Sequence, residues 1–520
     1  MKVYEGNIVT CDENNSVFSF LVEDKGKIVF VGNELPQQYI NEEKVKLLNK
    51  ALLPAFADTH IHFTSFSVFS SGLDIREAKS FEDIGNQIKT YANESNEKYI
   101  LAFGASAHNV TEKNLVDKAF LDRVMPDKPV IIIKYDGHAS IINSKLMEQL
   151  PKKIHSMRGF NSETGQLNQE AFFACTDYIT SKVAIFKLIK NMLTGVDKMA
   201  QKGIGMMHTV EGVGFIRDLD VDLVRLFSRG LKNDFQTRIF FQTMEVKKVL
   251  KRKMPRIGGC FATALDGCFG SEDAALLEPY SNNSKNTGVL FYSQEQVTKF
   301  AIEANRAGLQ IELHAIGDKA FEQAVNAIEA ALKDSYREDH RHTIIHACIP
   351  TEAGLKKVAE YGIGIAAQPA FLEWPLEPLP YVESILGHRA YEISPLKQML
   401  DMGIHISGGS DAPCTLPDPI EGIYCACNHY VKDQSISIAQ ALRMYTYEAA
   451  WMSFDEMQRG TLEKHKIADM VILNSNPLQM EAKDLRSLQV EKLILNGKDY
   501  ETGQGVGNLA LRAIKGKKRI

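Results

Sequence analysis

The segment from Ala51 to His62 (ALLPAFADTHIH) constrains the fold more than any other part of the chain. Ala51 to Ala57 are all apolar or proline, which predicts a buried strand. His60 and His62 follow at positions i and i+2, and such residues point to the same side of a strand, so both imidazoles can bind one ion. Because imidazole is a usual ligand of zinc and similar metals, the segment predicts a metal site at the end of a buried strand.

Polar residues end several later strands in the same way. The predicted strands from 309 to 314 and from 343 to 346 each finish on a histidine, and the strand from 403 to 407 is followed by an aspartate. Barrel enzymes carry their catalytic groups at the carboxyl ends of the strands. One histidine at such a place is more often structural, but five candidates together favour a metal site made of His60, His62, His314, His346 and Asp411.

These residue types predict a hydrolytic mechanism. A bound divalent ion lowers the pKa of a water ligand from about 15.7 towards 7. Asp411 can bind the ion or accept the proton of that water, and then deliver the proton to a leaving nitrogen. His346 can hold a second ion or polarise the substrate carbonyl. The chain is therefore expected to bind a divalent metal, zinc, with one or two ions per chain.

The two ends of the chain differ from its middle. Residues 1–54 and the segments 468–473 and 490–495 contain strand-like runs separated by turn residues. They predict one β-sandwich built from residues 1–54 and 455–520. Between them, residues 55–454 alternate apolar strands with amphipathic helices, which favours a parallel sheet or barrel. The stretch from about 65 to 190 is too long for one strand–helix step and predicts an inserted subdomain.

Composition narrows the classes of function. The net charge is −5 without a basic stripe, so nucleic acid is not a favoured partner. No apolar run reaches the roughly 18 residues of a membrane helix, and the first residues lack the apolar region of a signal peptide. Eight cysteines without a regular framework indicate reduced thiols, so we expect a cytoplasmic protein that acts on a small molecule. The basic segment 515–519 is predicted to be a solvated terminus.

Several longer motifs join the histidines. They are PAFADTHIH (54–62), YDGHASIINS (135–144), DGCFGSEDAAL (266–276), HAIGDKA (314–320), IIHA (344–347), SGGSDAP (407–413) and GTLEKHKIADMVIL (460–473). With these motifs the chain resembles the amidohydrolase superfamily, and within it amidohydrolase family 3, which includes N-substituted formamide deformylases. The resemblance implies an α/β fold, a (β/α)8 TIM barrel with a β-sandwich from both termini. It also implies metal and catalytic roles for His60, His62, His314, His346 and Asp411, and it is compatible with a homodimer.

One departure from the family leaves the number of metal ions open. Many relatives have a lysine four residues before the Asp-Gly of DGCFGS, a source of a carboxylated bridge between two metals, and this chain has Ala262 there. Glu211, just beyond a predicted strand, is the alternative bridging carboxylate. The other alternative is a single ion held by His60, His62, His314 and Asp411, with His346 acting on the substrate.

Other residues are candidates for substrate binding. Family analogy places Asp136 and His138 near the substrate, although a buried hydrogen-bonded pair is an equal alternative. Trp374, which follows another predicted strand, is a candidate for lining the pocket, with packing in the core as the alternative. His340 and His342 are predicted to be ordinary surface or capping residues.

The sequence therefore predicts a metal-dependent hydrolase of a C–N bond other than a peptide bond, acting on a linear or cyclic amide or a formamide. Hydrolytic deamination of an amino-substituted ring is the alternative reaction, and it differs by releasing ammonia. A non-catalytic regulator that keeps the barrel is the alternative from another class.

Overall fold

The computed structural model describes residues 1–516. The chain begins with four strands, β1 (Lys2–Val9), β2 (Val17–Asp24), β3 (Lys27–Gly32) and β4 (Glu43–Pro54). β1 pairs antiparallel with β2 and parallel with β4. β4 then leads through a single residue into the first barrel strand, β5 (Phe56–Ile61), so the terminal sheet and the barrel share one continuous chain segment.

A subdomain follows the first barrel strand and α1 (Phe63–Phe69). Its elements are β6 (Leu73–Asp74), α2 (Phe81–Glu94), β7 (Ile100–Ala105), α3 (Lys118–Val124), β8 (Val130–Lys134), β9 (Ala139–Ile142), α4 (Ser144–Met147), β10 (Gln166–Asn168), α5 (Gln169–Thr180) and α6 (Ile185–Gln201). Its five strands form a sheet in the order β10-β9-β8-β7-β6, parallel from β6 to β8 and antiparallel beyond. The sheet lies within the stretch for which an insertion is predicted.

The remaining barrel strands alternate with helices. They are β11 (Ile204–Glu211), α7 (Leu219–Gly230), β12 (Gln236–Phe241), α8 (Val246–Lys251), β13 (Arg256–Ala264), α9 (Gln294–Arg306), β14 (Gln310–Ala315), α10 (Asp318–Asp334), β15 (Thr343–His346), α11 (Glu352–Tyr361), β16 (Gly364–Ala367), α12 (Leu379–Leu386), α13 (Leu396–Asp401), β17 (Ile406–Gly408), α14 (Pro419–Cys427), α15 (Ile438–Met444) and α16 (Tyr447–Met452).

Eight parallel strands form the barrel in the order β17-β16-β15-β14-β13-β12-β11-β5. The sheet closes between its first and last strands, where Asp411 N donates to His60 O (2.8 Å) and His62 N donates to Ala412 O (2.9 Å). The predicted (β/α)8 barrel is confirmed. Because all eight strands run in one direction, the residues at their carboxyl ends meet at one end of the barrel.

The chain ends with β18 (Met470–Leu473), β19 (Val490–Leu495), β20 (Lys498–Asp499) and α17 (Val506–Lys515). β18 pairs antiparallel with β4, so strands from both termini make one sheet in the order β20-β19-β18-β4-β1-β2-β3. An isolated bridge joins Lys27 of β3 to Ile467 just before β18, which brings the two flanks together over a shared apolar core. Most of the basic segment 515–519 lies outside the described residues.

Two further observations bear on the compositional predictions. Within residues 1–516, no helix combines the length and the apolar character needed to cross a bilayer. All eight cysteines are free and buried.

Candidate metal centre

Six side chains meet inside the carboxyl end of the barrel. They come from the ends of β5, β13, β14, β15 and the loop after β17, and they are His60, His62, Cys260, His314, His346 and Asp411. All six are buried, and His60 is completely inaccessible. The structure brings together the five residues that the sequence predicts for the site and adds Cys260.

The first cluster contains His60, His62, Cys260 and Asp411, whose ligand atoms all lie within 4.8 Å of one another. Asp411 Oδ1 is 3.2 Å from His60 Nε2 and 3.2 Å from His62 Nε2. The thiol of Cys260 lies 3.2 Å from His60 Nε2. Two nitrogens, one oxygen and one sulfur therefore converge in this cluster.

The second cluster contains Cys260, His314 and His346. Cys260 Sγ lies 3.8 Å from His346 Nε2, and the His314 and His346 rings are 4.6 Å apart between centroids. Because Cys260 belongs to both clusters, its thiol lies between them. A single side chain is thus in position to contact ions in both places.

The chemistry of these side chains fits a metal ion. Asp411 Oδ1 is buried and has no hydrogen-bond partner, whereas buried polar atoms are normally paired. The set of imidazole, thiol and carboxylate ligands is the one that zinc prefers, and four such groups suffice for its tetrahedral coordination. The two clusters can therefore hold divalent metal ions.

Three of the four imidazoles are held in the neutral form that binds a metal, whereas the charges of Cys260 and Asp411 outweigh burial and raise the pKa of His60. Burial lowers the pKa of His62, lowers that of His314 to about 3 and lowers that of His346 well below its usual range. These rings are neutral at neutral pH and keep a lone pair for a ligand bond.

The two anionic candidates differ from each other. Burial opposes ionisation of Asp411, but the imidazoles of His60 and His62, each 3.2 Å from its Oδ1, hold its pKa well below the usual range. Burial raises the pKa of the Cys260 thiol to about 11. A thiolate at this position needs the charge of a bound cation, which deprotonates a coordinating thiol.

Neighbouring side chains fix the geometry of the clusters. His346 Nδ1 lies 2.5 Å from Gln368 Oε1, so that nitrogen donates its hydrogen and Nε2 is left to face Cys260. Asp58 accepts from Ser410 Oγ (2.5 Å) and from the backbone amides of Ser410 and His60 (3.0 and 3.2 Å). These contacts tie the loop that carries Asp411 to the strand that carries His60.

The backbone at the site is strained. His346 and Asp411 have φ values of 70° and 56°, in the left-handed region that non-glycine residues rarely adopt. Such conformations cost about 1–3 kcal/mol each and persist where the surrounding structure imposes them. The fold therefore holds both side chains in positions that a relaxed chain would not choose.

Glu211 lies outside both clusters. Its carboxylate accepts from Thr209 Oγ1 (2.7 Å) and from Thr64 N (3.2 Å). Burial and the nearby charge of Asp220 raise the pKa of Glu211 above its usual range. Glu211 therefore connects the start of α1 to β11. It belongs to neither group of candidate metal ligands, so the structure does not place it as a bridge between two metals.

Cys260 lies between the two clusters, whereas the family pattern points to position 262 for a bridging residue. β13 pairs in regular register with β14 up to Gly259, but the next pair joins Ala264 to His314. The intervening residues bulge, and Gly258 and Gly259 have φ values of 107° and 131° that favour glycine. Counting back four residues from Asp266 leads to Ala262, whereas the bulge presents Cys260. A cysteine directly after the Gly258-Gly259 pair was the available signal in the sequence.

A pocket opens above the clusters. Its lining includes His62, Cys260, His314, His346 and Asp411 together with the three predicted substrate-binding residues, Asp136, His138 and Trp374. Asp136 is also ion-paired with Lys134 (2.8 Å) and accepts from His138 N (3.1 Å). Burial opposes ionisation of Asp136, but the charge of Lys134 lowers its pKa to about 2. Asp136 is therefore both a pocket residue and a buried, fully engaged carboxylate.

Two histidines are placed differently from the prediction. His340 and His342, predicted at the surface or in caps, are 3% and 0% exposed, so the surface prediction is wrong. His340 Nδ1 accepts from His342 N (2.8 Å), and His342 Nδ1 accepts from Ile311 N (3.1 Å). The imidazoles pair with backbone groups where β14 and β15 begin, which a polar DHRH motif does not reveal.

Similarity to known proteins extends over most of the chain. The model of the amidohydrolase family matches residues 45–499. YtcJ of Bacillus subtilis, whose name refers to an amidohydrolase, is 25% identical over 485 residues, which cover 88% of this chain and 90% of YtcJ. The N-substituted formamide deformylase of Arthrobacter pascens is 22% identical over 539 residues, with 96% and 97% coverage. A crystal structure of an uncharacterized metal-dependent hydrolase from Pyrococcus furiosus superposes with a TM-score of 0.73 at 23% identity and covers 92% of this chain and 100% of that one.

Proposed function

The chain belongs to the amidohydrolase family, a family of hydrolases, and from that premise we propose that it uses zinc to hydrolyse a C–N bond other than a peptide bond. The substrate in this proposal is a small cytoplasmic amide or formamide. The observation that carries the proposal is the pair of ligand clusters that share Cys260 next to the unpaired Oδ1 of Asp411.

The clusters support a site for two ions. His60, His62 and Asp411 would hold one ion, His314 and His346 the other, and the thiolate of Cys260 would contact both. When bound, the ions supply a positive charge that polarises the substrate carbonyl and lowers the pKa of a water molecule towards 7. This arrangement replaces the carboxylated lysine that Ala262 rules out and needs no ligand from Glu211.

Asp411 is the residue that moves the proton. Its carboxylate is ionised, lines the pocket and has one oxygen without a hydrogen bond. It can accept a proton from the attacking water and pass it to the nitrogen that leaves, which is the step that makes an amine a competent leaving group. His346 is assigned to metal binding in this proposal, because Gln368 occupies its Nδ1 and its Nε2 faces Cys260.

The pocket wall gives the reaction its environment. Phe261 lies 4.8 Å from the ring of His62, and Phe371 lies 6.1 Å from that of His346, both between ring centroids. These rings exclude bulk water from the buried clusters, which strengthens the interaction of charges with the substrate carbonyl.

Metal content tests the proposal most directly. Elemental analysis of the purified, zinc-reconstituted protein should give two equivalents per chain. Cys260→Ala should lose at least one equivalent, and Glu211→Gln, which removes a buried carboxylate outside the clusters, should keep both. Two equivalents in Cys260→Ala would contradict the bridging role.

Product analysis tests the reaction. A panel of formamides, linear amides, cyclic amides and amino-substituted rings should give carboxylate and amine products from the amides. Release of ammonia from a ring with formation of a ring carbonyl would instead establish deamination. A protein that takes up no metal after reconstitution would overturn both reactions and favour the regulator.

A further inference from the structure

One carboxylate in the outer wall of the pocket has no role in the proposed chemistry. Glu377 lines the pocket among apolar and aromatic side chains that include Phe269, Phe371, Leu372, Trp374, Leu379 and Val382. An ionised group in such a wall is costly unless something pairs with it. A group bound in the pocket can pair with Glu377.

The protein fixes the position of this carboxylate. The hydroxyl of the fully buried Tyr135 donates to Glu377 Oε1 at 2.9 Å. Gly270 lies so close to both groups that a Cβ at that position would overlap the Tyr135 hydroxyl and Glu377 Oε1. The glycine and the tyrosine therefore hold Glu377 in place at the pocket wall.

Glu377 has no direct ion-pair partner among the described residues. Within residues 1–516, no lysine or arginine forms an ion pair with it at 4.0 Å or less. Lys134, the nearby cation, is engaged by Asp136 at 2.8 Å, by Gly270 O at 3.0 Å and by Ser271 Oγ at 3.1 Å. Lys134 is the cation shared by two carboxylates, Asp136 and Glu377, so this group is net negative when Glu377 is ionised. Burial raises the pKa of Glu377 to about 7, which a cation in the pocket would reverse.

Aromatic rings flank the same region. Phe371 and Trp374 stack with ring centroids 4.8 Å apart and an interplanar angle of 15°. Trp374 also meets Tyr135 edge to face at 5.1 Å. The faces of such rings attract cations, most strongly where water is excluded. A carboxylate beside stacked aromatic rings is the combination that recognises an organic ammonium group.

We propose that the substrate carries a cationic nitrogen, such as an ammonium group, which Glu377 and the Phe371–Trp374 pair bind while the scissile amide reaches the metal clusters. Only the placement of the scissile amide at the metal clusters rests on the proposed hydrolase function. The cation recognition itself is a binding property of the pocket and can be measured without turnover.

The chain offers a direct optical readout. It contains two tryptophans, Trp374 in the pocket and Trp451, which stacks on His405 at 3.7 Å away from the pocket. In a Trp451→Phe background the fluorescence therefore reports Trp374 alone. Choline and its uncharged isostere 3,3-dimethylbutan-1-ol are titrated into the zinc-loaded protein as probes.

We expect choline to bind about tenfold more tightly than the uncharged isostere. Glu377→Gln should abolish that preference, and Glu383→Gln, which removes an exposed carboxylate of α12, should keep it. Tyr135→Phe keeps the carboxylate but removes the hydroxyl that orients it, so it should reduce the preference to an intermediate value. Tyr135→Phe therefore tests the inference even if Glu377→Gln fails to fold.

Equal binding of the two probes, or a choline preference that survives in Glu377→Gln, would overturn the inference. A choline preference in a protein that hydrolyses no amide would leave cation recognition standing and overturn the proposed function alone. Hydrolysis of neutral amides without a choline preference would support the proposed function and overturn the inference of cation recognition.

Discussion

Buried carboxylates are paired differently at the two ends of the barrel. At the amino end, Arg238 of β12 donates from Nε and Nη2 to the two oxygens of Asp455 at 2.8 Å each. Arg459 continues this network by contacting Asp455 at 3.2 Å and Asp469 at 3.0 Å. Both of these carboxylates face guanidinium groups, so their charges are paired within the protein.

At the carboxyl end the charges are not matched. Four imidazoles and a thiol lie around the carboxylate of Asp411, and its Oδ1 has no hydrogen-bond partner. At the amino end Asp455 and Asp469 are paired with guanidinium groups, whereas at the carboxyl end Asp411 has an oxygen that a bound cation would satisfy. The comparison teaches that stability and function are separated along the barrel axis, as in other barrels of this kind.

Replacing Asp411 should give the largest change in activity and spare the amino end. Asparagine has the same shape as aspartate but cannot accept a proton at neutral pH, so Asp411→Asn should lower kcat by about 10²–10⁴-fold. The measurement is steady-state hydrolysis of the best amide from the product screen, with denaturant unfolding of the metal-free protein as the control. Wild-type turnover in this variant would remove Asp411 from the proton path.

Replacing Asp455 should produce the opposite pattern. Asp455→Asn leaves the buried guanidinium of Arg238 without its anion, and breaking such a pair costs about 3–5 kcal/mol of unfolding free energy. Urea denaturation measures the loss, and elemental analysis should find the metal content unchanged. If the variant lost metal while keeping its stability, the two ends would be coupled and the comparison would fail.

Gln368 allows a finer test within the carboxyl end. Removal of a side chain that orients a metal-binding histidine typically costs 10–100-fold in metal affinity, so Gln368→Ala should weaken zinc binding by about that factor. Competition with a zinc chelator gives the affinity. The matched control is Gln310→Ala at the amino end, which removes the acceptor of Arg256 Nε (3.0 Å) and should lower stability without changing zinc affinity.

The same contrast explains which parts of the molecule the sequence predicts. Apolar strands that end in histidine place residues at the carboxyl end of a barrel whatever the details of packing, so the barrel and the convergence of His60 with His346 follow from local pattern. Cys260 does not, because its position depends on a bulge between Gly259 and Ala264 that only the pairing of β13 with β14 defines. Glu211 was a plausible ligand by residue type, but its orientation towards Thr64 and Thr209 is decided by tertiary packing.

The effect of pH on stability should be the smallest of these changes and should map to the amino end. Burial opposes ionisation of Asp455, but the hydrogen bonds and charge of Arg238 lower its pKa to about 2, below the unfolded value of 3.8. A depressed carboxyl pKa contributes stability above the unfolded pKa, and that contribution is lost as the pH falls from about 5 towards 2. For Asp455 the loss is about 2 kcal/mol.

Unfolding free energies at several pH values should therefore fall less steeply in Asp455→Asn than in the wild type. Parallel pH profiles would show that Asp455 is not the carboxylate responsible, whereas a steeper wild-type profile would place the acid-sensitive charge at the amino end of the barrel, away from the metal clusters.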